Sequence, residues 1–344
     1  MNKQKLRKHP KFILAGDVGG TNTTLGLFNI GKNKPRLLFL KKFKSNELKS
    51  ITEAINEMLA YSKRNKIKIN TGCLGVAGPV STNRDLCKLT YVKWKVDTKE
   101  IIRKTGLKTF LVNDFEAIGY GVNLLKKNDI IKIGKNREAL PEATKAVIGA
   151  GTGLGKSILV YQDNSYIPIP SEGGFSDFPA HDKLEMDILN FIKKDKGIKE
   201  SVSNEQVISG KGIESIYLFL RKRFKSTKYT KEINRSKDKV PLISKYRNKD
   251  KLCKETFKLY TKFYARCVKN FVLDSLAIGG IYIAGGIASK NEDIFKTKEF
   301  INEFEKVNKQ PQLLKKVPIF VIKNYNVSLY GAAYAAMKNE LNLK

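Results

Sequence analysis

The chain reads as an α/β protein of two domains, and three observations lead there. Short apolar runs rich in β-branched residues alternate with stretches of helical spacing from residue 12 onward. The length of 344 residues suggests two domains at about 150 residues each. Hydrophobic residues make up 41% of the chain, ample for real cores, and no apolar run approaches the roughly 18 residues needed to span a bilayer.

Strands are expected near 12–16, 23–30, 36–43, 71–77, 108–112, 144–149, 157–161, 281–285 and 317–322, and helices near 52–64, 97–105, 115–126, 182–194, 211–224, 250–277 and 326–339. Phe12-Ile13-Leu14-Ala15 is an apolar run that ends in glycine, and Thr23 to Phe28 reads as the strand that returns. Lys108 to Val112 is a credible buried strand, followed by helical spacing from Phe115 to Leu125. Ala146-Val147-Ile148 is a further strand. Ser157 to Tyr161 is rich in β-branched and aromatic residues and stops at the Asp163-Asn164 turn signal. Ile281 to Ala284 is apolar and ends in Gly285-Gly286, and the last helix carries the small residues Gly331-Ala332-Ala333 that permit close packing.

Two glycine-rich turns stand out, Gly16-Asp17-Val18-Gly19-Gly20-Thr21-Asn22 and Gly149-Ala150-Gly151-Thr152-Gly153-Leu154-Gly155. Each lies where a buried strand should turn over. Glycine there allows positive φ and lets backbone N–H groups approach an anion. Thr21 and Asn22 add side-chain donors for phosphate oxygens, and Asp17 offers a hard oxygen ligand to Mg²⁺ or its waters. An ordinary hairpin loop would look similar, but a second loop of the same kind favours a phosphate-binding protein and a kinase. Ala150 to Ser157 also fits a relaxed P-loop pattern. A true P-loop continues into a helix, whereas the residues after Lys156 read as a strand, so a β-hairpin clasp is expected.

With these loops the chain resembles the bacterial-type glucokinase family, within the hexokinase, actin and Hsp70 group of ATP-binding proteins. The resemblance rests also on Gly75-Val76-Ala77-Gly78-Pro79-Val80, Asn113-Asp114-Phe115-Glu116-Ala117, Glu172-Gly173-Gly174, Glu205 to Gly210 and Ile283 to Ile287. The blocks occur in the family's order over nearly the whole chain. The resemblance implies a two-lobed actin-like ATPase fold, ribonuclease H-like, with an interlobe cleft. The small lobe would comprise residues 1–114 plus about 325–344, and the large lobe 115–324, with a basic segment about 225–250 expected as a loop or insertion. The last helix would rejoin the small lobe near the hinge.

Asp114 follows a predicted strand and opens a helix, where open α/β sheets place ligands. A carboxylate there can orient an acceptor hydroxyl and take its proton, or it can simply cap the helix. The family match favours the catalytic role and assigns Asn113 to the sugar. Glu172 lies in a tight turn, and Glu205 lies in Ser203-Asn204-Glu205-Gln206, which also reads as a capping box in which Glu205 favours the helix dipole. The resemblance makes both glutamates sugar ligands. It places Asp17, Gly19, Gly20, Thr21, Asn22, Gly151, Thr152 and Gly153 around the ATP phosphates, Gly285 and Gly286 at the adenosine, and Mg²⁺ near Asp17.

Two positions depart from the family pattern. Phe175 stands where a histidine commonly holds a sugar hydroxyl, and Tyr91 stands where an asparagine precedes the tryptophan, here Trp94. The pattern therefore supports a kinase more firmly than it supports glucose, and another hexose or an amino sugar remains open.

The two histidines, His9 and His181, form no Ser-His-Asp or paired arrangement. Cys73, Cys87, Cys253 and Cys267 are widely spaced without a CxxC, as expected of reduced thiols in a cytoplasmic protein. The leader to Lys11 is basic, but Phe12 to Ala15 is too short for a signal-peptide core. Lys and Arg number 65 against 33 Asp and Glu, a net charge of +32. Such a balance can hold a polyanion nonspecifically, but lysines are spread along the chain and no nucleic-acid module appears. The expected partners are a sugar, ATP and a second copy in a homodimer, with no membrane; a nucleic acid is disfavoured but not excluded by the basic charge.

Overall fold

The computed structural model describes residues 11–31, 34–89, 92–135 and 137–342. His9 and Tyr91 lie outside the described residues, as does most of the basic leader. In chain order the elements begin with β1 (Lys11–Val18), β2 (Asn22–Ile30), β3 (Pro35–Lys44), α1 (Ile51–Arg64), β4 (Ile69–Val76), β5 (Leu86–Lys88) and β6 (Lys95–Asp97). There follow α2 (Thr98–Thr105), β7 (Lys108–Asn113), α3 (Asp114–Val122), β8 (Ile130–Ile133), β9 (Lys145–Ala150), β10 (Leu154–Gln162) and β11 (Ser165–Ser171). The helical stretch holds α4 (Lys183–Lys196), α5 (Asn204–Ile208), α6 (Gly210–Arg221), α7 (Lys228–Arg235), α8 (Val240–Tyr246) and α9 (Lys251–Ser275). The chain closes with β12 (Ile281–Ala284), α10 (Gly286–Lys290), α11 (Lys298–Glu305), α12 (Pro311–Lys316), β13 (Ile319–Ile322) and α13 (Val327–Asn342).

Contacts divide the chain into two compact units. The first holds the residues up to Leu125, Ser165–Pro168 and those from Asn326; the second holds Lys126–Asn164 and Ile169–Tyr325. The sequence reading put the first crossing after Asp114. It falls after Leu125, because α3 is packed tightly against α13: a Cβ on Gly331 would run into the Ala117 carbonyl, and one on Gly121 into the Val327 carbonyl. The small residues of α13 thus serve close helix packing.

In the first unit the sheet order is β3-β2-β1-β4-β7. The hairpin β1–β2 runs antiparallel, while β1, β4 and β7 are parallel. Side chains alternate with a period of two. Leu14 and Val18 join the core formed with α1 and α2, while Ile13 and Ala15 join Leu329 and Ala332 of α13. Asp97 caps α2 by accepting the amides of Lys99 and Glu100, and Gly106 ends it at φ 71°.

The second unit repeats this plan in another sheet, ordered β11-β10-β9-β12-β13-β8. The hairpin β9–β10 is antiparallel, and β9, β12 and β13 are parallel. Each glycine-rich turn therefore occupies the same place in its own sheet, the loop of the hairpin beside the parallel strands. Helix α9 fills the core with Tyr260, Phe263, Tyr264 and the fully buried Arg266. The Arg266 guanidinium is bidentate to Glu185 at 2.6 and 2.9 Å and bonds Glu303 at 2.8 Å, which ties α9 to α4 and α11. Burial alone would raise the Glu185 pKa, but Arg266, Lys262 and the His181 amide together bring it down to about 2.

Residues 225–250 are not a loop. They form α7 and α8, with Thr227 as N-cap of α7, Pro241 in the first turn of α8, and Ile233, Ile243 and Tyr246 buried. The rings of Tyr229 and Tyr246 pack 4.7 Å apart. Cys73, Cys87, Cys253 and Cys267 are free and buried. Among the described residues no helix is long and apolar enough to cross a membrane.

Candidate active site

The first glycine turn is a tight hairpin loop in which the Gly19 amide donates to the Asn22 carbonyl at 3.0 Å. Ser45, which sequence reasoning missed, holds it in shape: its Oγ donates to the Gly19 carbonyl at 2.6 Å, and its amide to Thr21 O at 3.0 Å. Gly20 is half-buried, and Thr21 and Asn22 are exposed at the tip. Gly16 serves packing instead, since a Cβ there would lie 2.5 Å from Leu74 Cδ2.

Asp17, near the end of β1, pairs with Gly75 of β4. Burial raises its carboxyl pKa to about 6, with Ser328 of α13 pulling the other way. Val18, Val76 and Asn113 stand in one row across β1, β4 and β7. Asp17 precedes that row by one residue and Asp114 follows it by one. The sheet thus brings the two carboxylate-bearing positions to the same edge, at the carboxyl ends of parallel strands.

Asn113 is the N-cap of α3, accepting the Phe115 amide at 2.8 Å, while Glu116 Oε2 accepts the Asn113 amide at 3.3 Å. Its side-chain Nδ2 donates to the Gly78 carbonyl at 3.4 Å. Asp114 is the first residue of α3, and its Oδ1 lies 3.0 Å from the Phe115 amide. The helix end is thus capped by its neighbour, and Asp114 sits in the positive field of that terminus. Burial, and then the charge of Asp114, push the Cys87 thiol up to about 11. Gly78 backs onto the same thiol: a Cβ there would lie 3.1 Å from Cys87 Sγ. Beneath the cap, Arg84 Nη1 meets the buried Glu116 Oε1 at 2.8 Å. Arg84 was not singled out from the sequence, and Glu116 only as part of the Asn113–Ala117 block, since nothing in the sequence marks a partner 32 positions away.

In the second unit the Gly151 amide donates to the Gly153 carbonyl at 2.9 Å, and Ser157 continues β10. The loop is a hairpin clasp, as its sequence predicts. Lys156, the residue a P-loop would aim at phosphate, is 4% exposed and lies 5.1 Å over the Phe271 ring, beneath Gly173. A Cβ on Gly151 would meet nothing within 4 Å, and Thr152 is exposed, so the loop tip is open to a ligand. Gly285 has φ 91° and would place a Cβ 2.5 Å from the Ala150 carbonyl, while Gly286 faces open space. Backbone at the β12–α10 junction therefore lies bare beside the glycine clasp.

Leu154 gathers the remaining predicted residues. Its amide donates to Glu205 Oε2 at 3.0 Å. Its carbonyl leaves no room for a Cβ on Gly174, which brings the exposed Glu172 and the 61% exposed Phe175 to the same region. Asn204 stitches α5 to this turn through Ser176 O, by its amide at 2.8 Å and its Nδ2 at 2.9 Å. Gln206 accepts the Ser203 amide at 2.8 Å, as the capping-box reading expects. Glu172, Glu205, Gly151–Gly153 and Gly285–Gly286 thus belong to one neighbourhood of the second unit. Asp17, the first glycine turn and Asn113-Asp114 belong to one edge of the first.

The glucokinase family model matches residues 14–339. The chain belongs to the glucokinase family. A glucokinase of Nostoc punctiforme is 32% identical over 350 residues, covering 95% of this chain and 99% of the relative. Among solved structures, a glucokinase from an Antarctic psychrotroph superposes with TM-score 0.77 at 26% identity, covering 95% of this chain and 99% of that one. A glucokinase of the ROK family from Streptomyces griseus, in complex with glucose and AMPPNP, shares the fold with TM-score 0.66 at 16% identity over 95% and 99% of the two chains. As a glucokinase-family protein with the actin-like ATPase fold, this chain is a hexose kinase.

Proposed function

We propose that the protein transfers the γ-phosphoryl group of Mg·ATP to the 6-hydroxyl of glucose, with Asp114 as the base. The observation that carries this reading is the position of Asp114, which opens α3 beside the Asn113 cap, at the carboxyl edge of the sheet and in the positive field of the helix terminus. Phosphoryl transfer asks the protein mainly for position and charge. Asp114 hydrogen-bonds the acceptor hydroxyl and takes its proton as the oxygen attacks phosphorus. Asn113, Glu172 and Glu205 hold further hydroxyls of the sugar, an ionised carboxylate accepting several hydrogen bonds from a polyol.

The glycine turns around Gly19–Asn22 and Gly151–Gly153 present backbone N–H groups to the phosphates, and Gly285-Gly286 admits the adenosine. Asp17 fits the role of a Mg²⁺ partner. It is a single hard oxygen donor on the edge it shares with Asp114, and no cluster of three metal-binding side chains occurs among the described residues, a donor set suited to an ion held largely by waters and phosphate oxygens. When bound, Mg²⁺ supplies neutralisation of the phosphate charge. The family resemblance also supports a cytoplasmic location and a homodimer, the latter tested by light scattering of the purified protein.

The deciding experiment measures ADP release from Mg·ATP with glucose, mannose, fructose, glucosamine and N-acetylglucosamine. Highest kcat/KM for glucose supports this reading. A higher value for another sugar reassigns the substrate and keeps the mechanism, as Phe175 would favour, and no turnover with any of them overturns the proposal.

A further inference from the structure

Phe175 is a large apolar side chain, 61% exposed, at the end of the turn that carries Glu172. Exposure of a single phenylalanine means little alone. Its fixation is what matters. The Phe175 amide donates to Glu172 O at 3.0 Å, Ser176 Oγ donates to Gly173 O at 2.8 Å, and Gly174 is seated against the Leu154 carbonyl. The same Leu154 holds Glu205 through its amide. One residue of β10 thus sets the positions of an aromatic ring and two carboxylate-bearing residues.

We propose that Phe175 is a specificity-determining residue, a platform on which one C–H face of the hexose rests, so that the ring hydroxyl nearest it goes unread. The inference rests on the hexose-kinase reading of this site. A binding site that hydrogen-bonds a hydroxyl rejects the deoxy analogue by about 10⁴-fold or more, because its own buried polar group is left unpaired. A phenyl ring has no such group to strand. Glu172 and Glu205 continue to read other hydroxyls, so selectivity is lost at one ring position.

The test compares kcat/KM for glucose and its 1-, 2-, 3- and 4-deoxy analogues in the wild type, Phe175→His and Phe175→Ala, with nucleotide affinity as the control for folding. The wild type should use one deoxy analogue within about tenfold of glucose, and Phe175→His should lower that analogue relative to glucose by about tenfold or more. Phe175→Ala should raise KM for every hexose at least about threefold and leave nucleotide affinity unchanged. Rejection of all four analogues by about a hundredfold or more in the wild type overturns the inference, as does an unchanged sugar profile in both variants. Absence of turnover with every hexose overturns the kinase reading beneath it, and the inference falls with it.

Discussion

The Glu205 carboxylate accepts the Leu154 backbone amide at 3.0 Å, so a proposed sugar ligand is built into the end of a proposed phosphate clasp. One oxygen serves this structural bond and the other is available to substrate. Glu205→Gln keeps an acceptor for Leu154 but gives up the charge. It should raise KM for the sugar by about tenfold, as for loss of a charge-assisted hydrogen bond, with Tm unchanged. Glu205→Ala strands the amide as well and should lower Tm by a few degrees. Steady-state kinetics and thermal melts on the two variants separate the roles.

Asp17 predicts a stability cost with a definite pH window. Its pKa is raised from 3.8 unfolded to about 6 folded, so the folded protein binds that proton more tightly. The stabilisation this gives is fully present below about pH 4 and is lost as pH rises through 6. Asp17→Asn should therefore be more stable than wild type at pH 7.5 by about 1–2 kcal/mol, less than the full shift implies because Asp17 keeps some solvent access. The gain should vanish below pH 4, and Mg·ATP turnover should fall sharply. Urea unfolding at pH 3.5 and 7.5 checks the sign.

Glycines with no room and glycines with open space should respond differently. Gly331→Ala forces a methyl into the Ala117 carbonyl at the α3–α13 crossing and should cost about 2–3 kcal/mol. Gly286→Ala meets nothing within 4 Å, so its Tm should stay within a degree or so of wild type while KM for ATP rises if the adenosine lies there. Calorimetry and ATP titration read both.

Arg84→Met leaves the buried Glu116 carboxylate without its cation. Arg84 is itself half-exposed, so solvent screening limits the loss to about 1–2 kcal/mol. Because Glu116 holds the Asn113 amide, KM for the sugar should rise more than KM for ATP.

What the sequence showed depended on how local the signal was. The glycine turns were legible because strand periodicity on both sides and turn chemistry between them agree, and Ser157-Ile158-Leu159 announced a strand where a P-loop needs a helix. Asn113-Asp114 was legible as a strand-to-helix junction. Ser45, Arg84 and Cys87 were not, since each acts through a tertiary contact made by a distant segment. Helices α7 and α8 were missed because lysines hide a sparse apolar stripe of Ile233, Ile243 and Tyr246. The first crossing was misplaced because only the fit of Gly121 and Gly331 reveals that α3 stays with α13.

The central claim is that Asp114 is the base of a hexose kinase, and Asp114→Asn tests it most directly. Asparagine preserves the shape and can accept a hydrogen bond, but it does not take up the proton. With Mg·ATP and the preferred hexose, kcat should fall by about 10²–10⁴-fold while nucleotide affinity stays within about twofold of wild type. A variant that turns over within tenfold of wild type would contradict the account.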